Sequence, residues 1–407
     1  MNKIYLLFVV IFLSVGCKSW QATTLKFPDP VDTVDVPVQM QERKTWIIDG
    51  VSADNRFLTA HLNDFQQEND STFRAIISPE NEPINPSPWY AFKLWSTEER
   101  KIDLVLDYEN AKQRYFPKIS YNGRDWQPLD SSLFSIEDKK NARLKLALSS
   151  DTLWLAGQVP VSSQDVADWC RKLDQHPEVQ WSTYGKSKLN RDLWMLNLGA
   201  GSDKGKPTIV LLCRQHPPEV TGWEALKPFV ETILADTEIA RRFRAQYRVL
   251  LFPLLNPDGV DLGFWRHNAG GIDLNRDWAY YRQPEIRQTA DCIVNEVKKN
   301  RGTVVMGLDF HSTYKDVYYT NEEDLLRPAL KGFKDKWLGE IKATLPDFSF
   351  RESSSNLGKP VSKSWFLTQF GAIGITYEIG DDTPQEVIRQ KGRVSAEKMM
   401  GLLLGWD

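Results

Sequence analysis

The chain has 407 residues, too many for one ordinary domain, so two folded domains and a short targeting segment are the natural expectation. Its 51 basic and 54 acidic residues nearly cancel to a formal net charge of −3, and no run of Lys and Arg gathers into a stripe. That balance excludes a phosphate-backbone partner, so no nucleic acid is expected.

At the N-terminus, Lys3 is followed by an apolar run from Ile4 to Leu13 and then by Ser14, Val15, Gly16 and Cys17. The run is too short to span a bilayer as a helix. A charged start, a short apolar core and small residues at a cut site describe a secretory signal. A Cys straight after the cut resembles a bacterial lipobox, although Ser14 and Val15 depart from its usual Leu followed by Ala or Ser. Residues 1–17 are therefore expected to be a lipoprotein signal peptide, with an acylated Cys17 tying an exported protein to a membrane. A plain signal peptide with a chance Cys is the alternative. The remaining Cys170, Cys213 and Cys292 are an odd number, which argues against a disulfide scaffold.

Residues 18–44 are mixed, Pro-dotted and without period, as suits a linker. Over residues 45–160 short alternating segments such as Phe73-Arg-Ala-Ile-Ile, Trp89-Tyr-Ala-Phe-Lys-Leu-Trp and Ala142-Arg-Leu-Lys-Leu-Ala-Leu are separated by turn clusters, predicting an all-β sandwich. Its aromatics read as core or as a glycan-binding face. Over residues 161–407 helical stretches alternate with buried strands. The spacing predicts a helix at Asp165–Leu173 and strands at Leu193–Leu198, Thr208–Cys213, Val249–Leu254, Val304–Phe310 and Ala372–Ile379. This is an α/β pattern, a largely parallel or mixed sheet flanked by helices. In such sheets ligands collect beyond the carboxyl ends of the strands.

The strand Thr208–Cys213 runs into Arg214-Gln215-His216-Pro217-Pro218-Glu219, after which Val220, Trp223, Leu226, Phe229, Val230 and Ile233 mark a helix with an apolar face. The two prolines suit the first turn of that helix, and Pro228 is a candidate kink. His216 and Glu219 would project from one tight turn. Spacing alone is a weak signal: His61 and Asp64 repeat it in the β-domain with nothing around them, and read as surface or core decoration. A third candidate, His311, follows the strand Val304–Phe310. Two neutral imidazoles and one carboxylate, with the fourth position left to water, form the ligand set of a catalytic zinc, one Zn2+ per chain.

Between the ligand segments lie Asn256-Pro-Asp-Gly259, Trp265-Arg-His-Asn268 and Asp273-Leu-Asn-Arg-Asp-Trp278, and Thr376-Tyr-Glu378 follows later. With His216-Pro-Pro-Glu219 and His311-Ser312, these stand in the order and approximate spacing of the zinc carboxypeptidases of the carboxypeptidase A type, which residues 160–407 resemble. The closest likeness is to the cytosolic carboxypeptidase branch, which places a β-sandwich ahead of the catalytic domain. The segment Ser87-Pro-Trp-Tyr-Ala-Phe-Lys is similar to that front domain. A signal peptide departs from a cytosolic habit, so the chain looks like an exported bacterial relative, and the tubulin-tail substrates of the eukaryotic branch do not carry over.

The resemblance implies a carboxypeptidase-like fold and a role for each matched residue. Arg266 would hold the scissile carbonyl oxygen and the oxyanion that develops there. Asn275 and Arg276 would grip the terminal carboxylate of a peptide. Asp273 would orient His216. Glu378 would be the general base for a metal-activated water. Counting back from Glu378 without gaps puts Asn356 where pancreatic members carry a lid Tyr. The same count puts Lys363 in the pocket for the departing side chain, where a cation would favour C-terminal Glu or Asp. A solvent-facing lysine is the alternative. An amidase or N-deacylase acting on acyl-amino acids or peptidoglycan peptides, and a lipid-anchored peptide- or glycan-binding protein, are the competing functions.

Overall fold

The computed structural model describes residues 26–31, 36–354 and 358–405. Cys17 with its signal segment, and Asn356, lie outside the described residues. The first half of the chain folds into β1 (Thr45–Ile48), β2 (Val51–Asp54), β3 (Asp64–Gln67), β4 (Thr72–Ile77), β5 (Ala91–Ser96), β6 (Arg100–Tyr108), β7 (Lys118–Ser120), β8 (Gln127–Pro128), β9 (Phe134–Glu137), β10 (Asn141–Leu148) and β11 (Leu153–Ala156). They form two sheets, ordered β1-β2-β5-β11-β7-β8 and β3-β4-β6-β10-β9. In β10 the side chains of Ala142, Leu144, Leu146 and Leu148 are buried while those between them face outward, the period-two pattern of a strand with one covered face. Trp89, Tyr90 and Phe92 are buried in this core, which removes them as a glycan-binding surface.

The second half comprises α1 (Ser163–Leu173), β12 (Val179–Lys186), β13 (Asp192–Leu198), β14 (Thr208–Cys213), α2 (Val220–Leu234), α3 (Glu238–Gln246), β15 (Arg248–Phe252), α4 (Pro257–Leu262), α5 (Pro284–Asn300), β16 (Val304–Thr313), β17 (Val317–Thr320), α6 (Phe333–Thr344), β18 (Arg351–Ser354), α7 (Ser362–Phe370), β19 (Ile373–Gly380) and α8 (Gln385–Leu404). One mixed sheet of eight strands runs β12-β13-β15-β14-β16-β19-β17-β18, and its central strands β15, β14, β16 and β19 are parallel. Both faces of that centre are covered, which is why β14 reads as an unbroken apolar run from Ile209 to Cys213. Ile209, Leu211 and Cys213 pack with α2 and α8 on one side, and Val210 and Leu212 pack with α5 and α7 on the other.

Two local expectations shift. Helix α2 begins at Val220, so Pro217 and Pro218 shape the turn before the helix and are not its first turn. Strand β16 runs on through Thr313, which places His311 inside the strand and not after it. Residues near the end of the expected linker 18–44 are anchored to both halves of the chain. Arg43 donates to the carbonyls of Asn55, Ala60, Asp261 and Leu262, and Gln41 Nε2 to those of Ala60 and Leu262.

Candidate metal centre

Parallel pairing fixes the floor of the site. His311 of β16 lies opposite Glu378 of β19 in register, and β14 on the other flank delivers the turn that carries His216 and Glu219. That turn is brought onto β16 by Gly222 in the first turn of α2. A Cβ there would sit 2.6 Å from the carbonyl oxygen of His311, so only glycine admits this approach. Ser312 Oγ, which accepts from the Gly222 N–H at 2.9 Å and from Thr221 Oγ1 at 2.8 Å, fastens the contact.

The donor atoms of His216, Glu219 and His311 all lie within 4.8 Å of one another, and all three residues are buried. His216 Nδ1 is 2.8 Å from Glu219 Oε1, His311 Nδ1 is 2.6 Å from Glu219 Oε2, and the two Nδ1 atoms are 3.2 Å apart. Each ring is held from behind by a carboxylate: His216 Nε2 by Asp273 Oδ1 and His311 Nε2 by Asp309 Oδ2, both at 2.9 Å. A neutral ring that donates from Nε2 has its lone pair on Nδ1. Two lone pairs and a carboxylate then face one small space, an arrangement that repels itself until a cation enters. The 3.2 Å separation is close to the roughly 3.3 Å edge of a tetrahedron with zinc–nitrogen distances of about 2.0–2.1 Å. These residues fit a zinc ion.

The electrostatics agree with the geometry. Burial pulls His311 down, but Asp309 and Glu219 outweigh it and hold the ring well above its ordinary value. Burial alone would raise Glu219, yet His216 and His311 hold it well below the carboxylate range. The field that favours a proton here favours a metal ion in the same place. Glu378 behaves in the opposite way. Burial, followed by the Glu219 charge, pushes it up to about 8, and its Oε2 atom has no hydrogen-bond partner. A buried, unpartnered carboxylate oxygen beside a cation-binding set is placed to handle a proton.

Arg266 is buried and still held above its ordinary value, because Asp273 and Glu219 outweigh its burial. Its Nε donates to Asp273 Oδ2 at 2.7 Å, and its Nη1 is 4.0 Å from Glu219 Oε1. Asp273 therefore holds His216 with one oxygen and Arg266 with the other. Asn275 Oδ1 accepts from the Ser362 N–H at 2.9 Å, and its Nδ2 is 3.5 Å from His311 Nε2. The more open Arg276 lies alongside, with Nη1 donating to the Asn275 carbonyl. Lys363 is not solvent-facing. It is 1 % exposed, its Nζ donates to the carbonyl of Thr320 and to Asn321 Oδ1, and burial lowers it to about 8. Gly374 makes room for it, since a Cβ there would lie 2.0 Å from the Lys363 carbonyl oxygen.

Sequence reading missed Asp309, which also accepts from Gln215 Nε2 and Ser362 Oγ. A signal existed: Asp309 and His311 are two apart in a strand, hence on one face. It also missed Glu80 and Arg114, both from the front sandwich. Arg114 binds Asp381 through Nε at 2.8 Å and through Nη2 at 3.3 Å, and its Nη2 donates to the Ser312 carbonyl. It thus ties together the strand ends beyond His311 and Glu378.

Comparison with known proteins shows what these residues are similar to. Residues 166–323 match the zinc carboxypeptidase family model, a span that holds His216, Glu219, Arg266, Asp273, Asn275, Arg276, Asp309 and His311 but not Glu378. An uncharacterised protein of Zymomonas mobilis is 25% identical over 278 residues, 64% of this chain and 68% of its own. Cytosolic carboxypeptidase 6 of Caenorhabditis elegans is 24% identical over 329 residues, 74% of this chain and 71% of its own. The fold is shared with a metallo-carboxypeptidase structure from Burkholderia cenocepacia at a TM-score of 0.73 and 19% identity, covering 88% of this chain and 100% of that one.

Proposed function

From the premise that this chain carries a zinc carboxypeptidase domain, we propose that it removes single residues from the C-termini of peptides, with Glu378 as general base. The observation that carries this reading is the unpartnered Oε2 of Glu378, buried in register with the ligand His311. When bound by His216, Glu219 and His311, zinc supplies a Lewis acid that makes water a nucleophile at neutral pH. Glu378 takes the proton of the attacking water and hands it to the leaving amine. Arg266, locked by Asp273, meets the negative charge that develops on the carbonyl oxygen. Asn275 Nδ2 and Arg276 hold the terminal carboxylate, which makes the enzyme an exopeptidase.

The test is zinc content together with release of C-terminal amino acids from a peptide mixture, before and after chelation. The expected result is one zinc per chain, with activity lost on chelation and restored by zinc. Glu378→Gln should keep its zinc and lose ~10²–10⁴-fold in kcat. A Glu378→Gln enzyme of undiminished kcat would end the assignment of the base.

A preference for C-terminal Glu or Asp rests on Lys363, which is buried beside Ser362, the residue bonded to Asn275. The proposed location is outside the cytoplasm, on a lipid anchor at Cys17 followed by the linker, and its support is the sequence from Lys3 to Cys17. Labelling with radioactive palmitate should mark the wild type and spare Cys17→Ser. Equal labelling of the two would remove the anchor.

A further inference from the structure

Arg266 sits on a stretch, residues 264–268, that is neither helix nor strand. Three consecutive backbone N–H groups in this stretch need acceptors, and one side chain supplies them all. Trp265 N donates to Glu80 Oε2 at 2.8 Å, while Arg266 N and His267 N donate to Glu80 Oε1 at 3.0 and 2.6 Å. Glu80 belongs to the sandwich, in the connection between β4 and β5, and is 1 % exposed. Its neighbour Asn81 completes the grip, with Oδ1 2.7 Å from His267 Nδ1 and Nδ2 donating to the Gly271 carbonyl at 3.0 Å. The Trp265 side chain is itself part of the sandwich core.

A carboxylate leaves water only at considerable cost, which three charge-assisted N–H bonds offset. With its amides drawn inward to Glu80, the loop turns the Arg266 side chain the other way, toward Asp273 and Glu219. The guanidinium is thus fixed at both ends, at its backbone by the sandwich and at Nε by Asp273. We infer that Glu80 is a positioning residue for hydrolysis, so that the front sandwich is a working part of the catalytic centre and not only a neighbouring module. This inference rests on the reading of Arg266 as the group that meets the oxyanion.

Glu80→Gln keeps shape and volume but turns an NH₂ group toward backbone N–H donors. The expected result is a ~10–100-fold fall in kcat, the scale of a misplacement of about 1 Å, with KM little changed and one zinc per chain retained. Arg266→Ala should lose ~10²–10³-fold in kcat. In the Arg266→Ala background, Glu80→Gln should cost nothing further, since there is no guanidinium left to position. An equal fold-loss in both backgrounds, or wild-type kcat in Glu80→Gln, overturns the inference. Wild-type kcat in Arg266→Ala would instead remove the oxyanion role itself, and the inference with it. If Glu80→Gln does not fold, Glu80→Asp, which keeps the charge but falls one methylene short, takes its place in the same cycle.

Discussion

His61 and Asp64 in the sandwich and His216 and Glu219 beside the main sheet share one spacing and end in opposite roles. His61 is buried with Nε2 2.9 Å from the Ser78 carbonyl and Gln41 Nε2 3.5 Å from Nδ1, while Asp64 accepts from Trp46 Nε1 at 3.0 Å. Neutral amide groups satisfy the ring, and burial lowers it to about 4. His216 faces Glu219 on one side and Asp273 on the other, with a second imidazole 3.2 Å away. Spacing brings two donors together; surrounding carboxylates and a third donor from another strand make them a candidate cation site.

The largest effects should separate the two pairs outright. His311→Asn is expected to lose stoichiometric zinc and all measurable peptidase activity, whereas His61→Ala should keep both. A His61→Ala protein without zinc would break the comparison. Next come the carboxylates behind the rings. Asp309→Asn and Asp273→Asn should each weaken zinc by ~10–100-fold in chelator competition. Asp273→Asn should also lower kcat, because only Asp273 holds Arg266 as well. Equal kcat in the two zinc-loaded variants would argue against that second role.

Stability gives a smaller and opposite readout. His61→Ala should cost about 1–3 kcal/mol in urea unfolding through a lost buried contact and hydrogen bond. The sign of its pH dependence follows from the lowered ring. As pH falls from about 6.5 to about 4, the unfolded chain takes up a proton that folded His61 refuses, so stability is lost over that window, by at most about 3 kcal/mol. His61→Ala should lack that share of the slope. The smallest effect belongs to Lys363, whose ammonium loses its proton as pH rises through about 8. The ratio of cleavage of Glu-ending to Phe-ending substrates should fall there, and in Lys363→Leu should be lower and flat. An unchanged ratio in Lys363→Leu would dismiss the acidic preference.

Periodicity made the central sheet legible. Thr208–Cys213 is a strand over the span read from the sequence, because a doubly covered strand is buried at every position and here apolar from Ile209 onward. His216, Glu219 and His311 were readable as candidate ligands because each lies at or just beyond a strand that such patterns reveal. Asp309 was hidden by reading its strand only for apolar residues. Glu80 and Arg114 could not be read at all. Glu80 lies 185 residues before Trp265 in the chain, and no local spacing encodes a contact made only when two domains dock. The contacts at the end of the expected linker were hidden for a similar reason, since Arg43 finds acceptors on a distant loop.

Anomalous diffraction at the zinc edge, from crystals of the purified protein, tests the central claim most directly. The expected map has a single strong peak bounded by Nδ1 of His216, the carboxylate of Glu219 and Nδ1 of His311, with the Glu378 carboxylate nearby but outside the ligand set. A peak at some other place, or these three side chains turned away from one another with no metal between them, would contradict it.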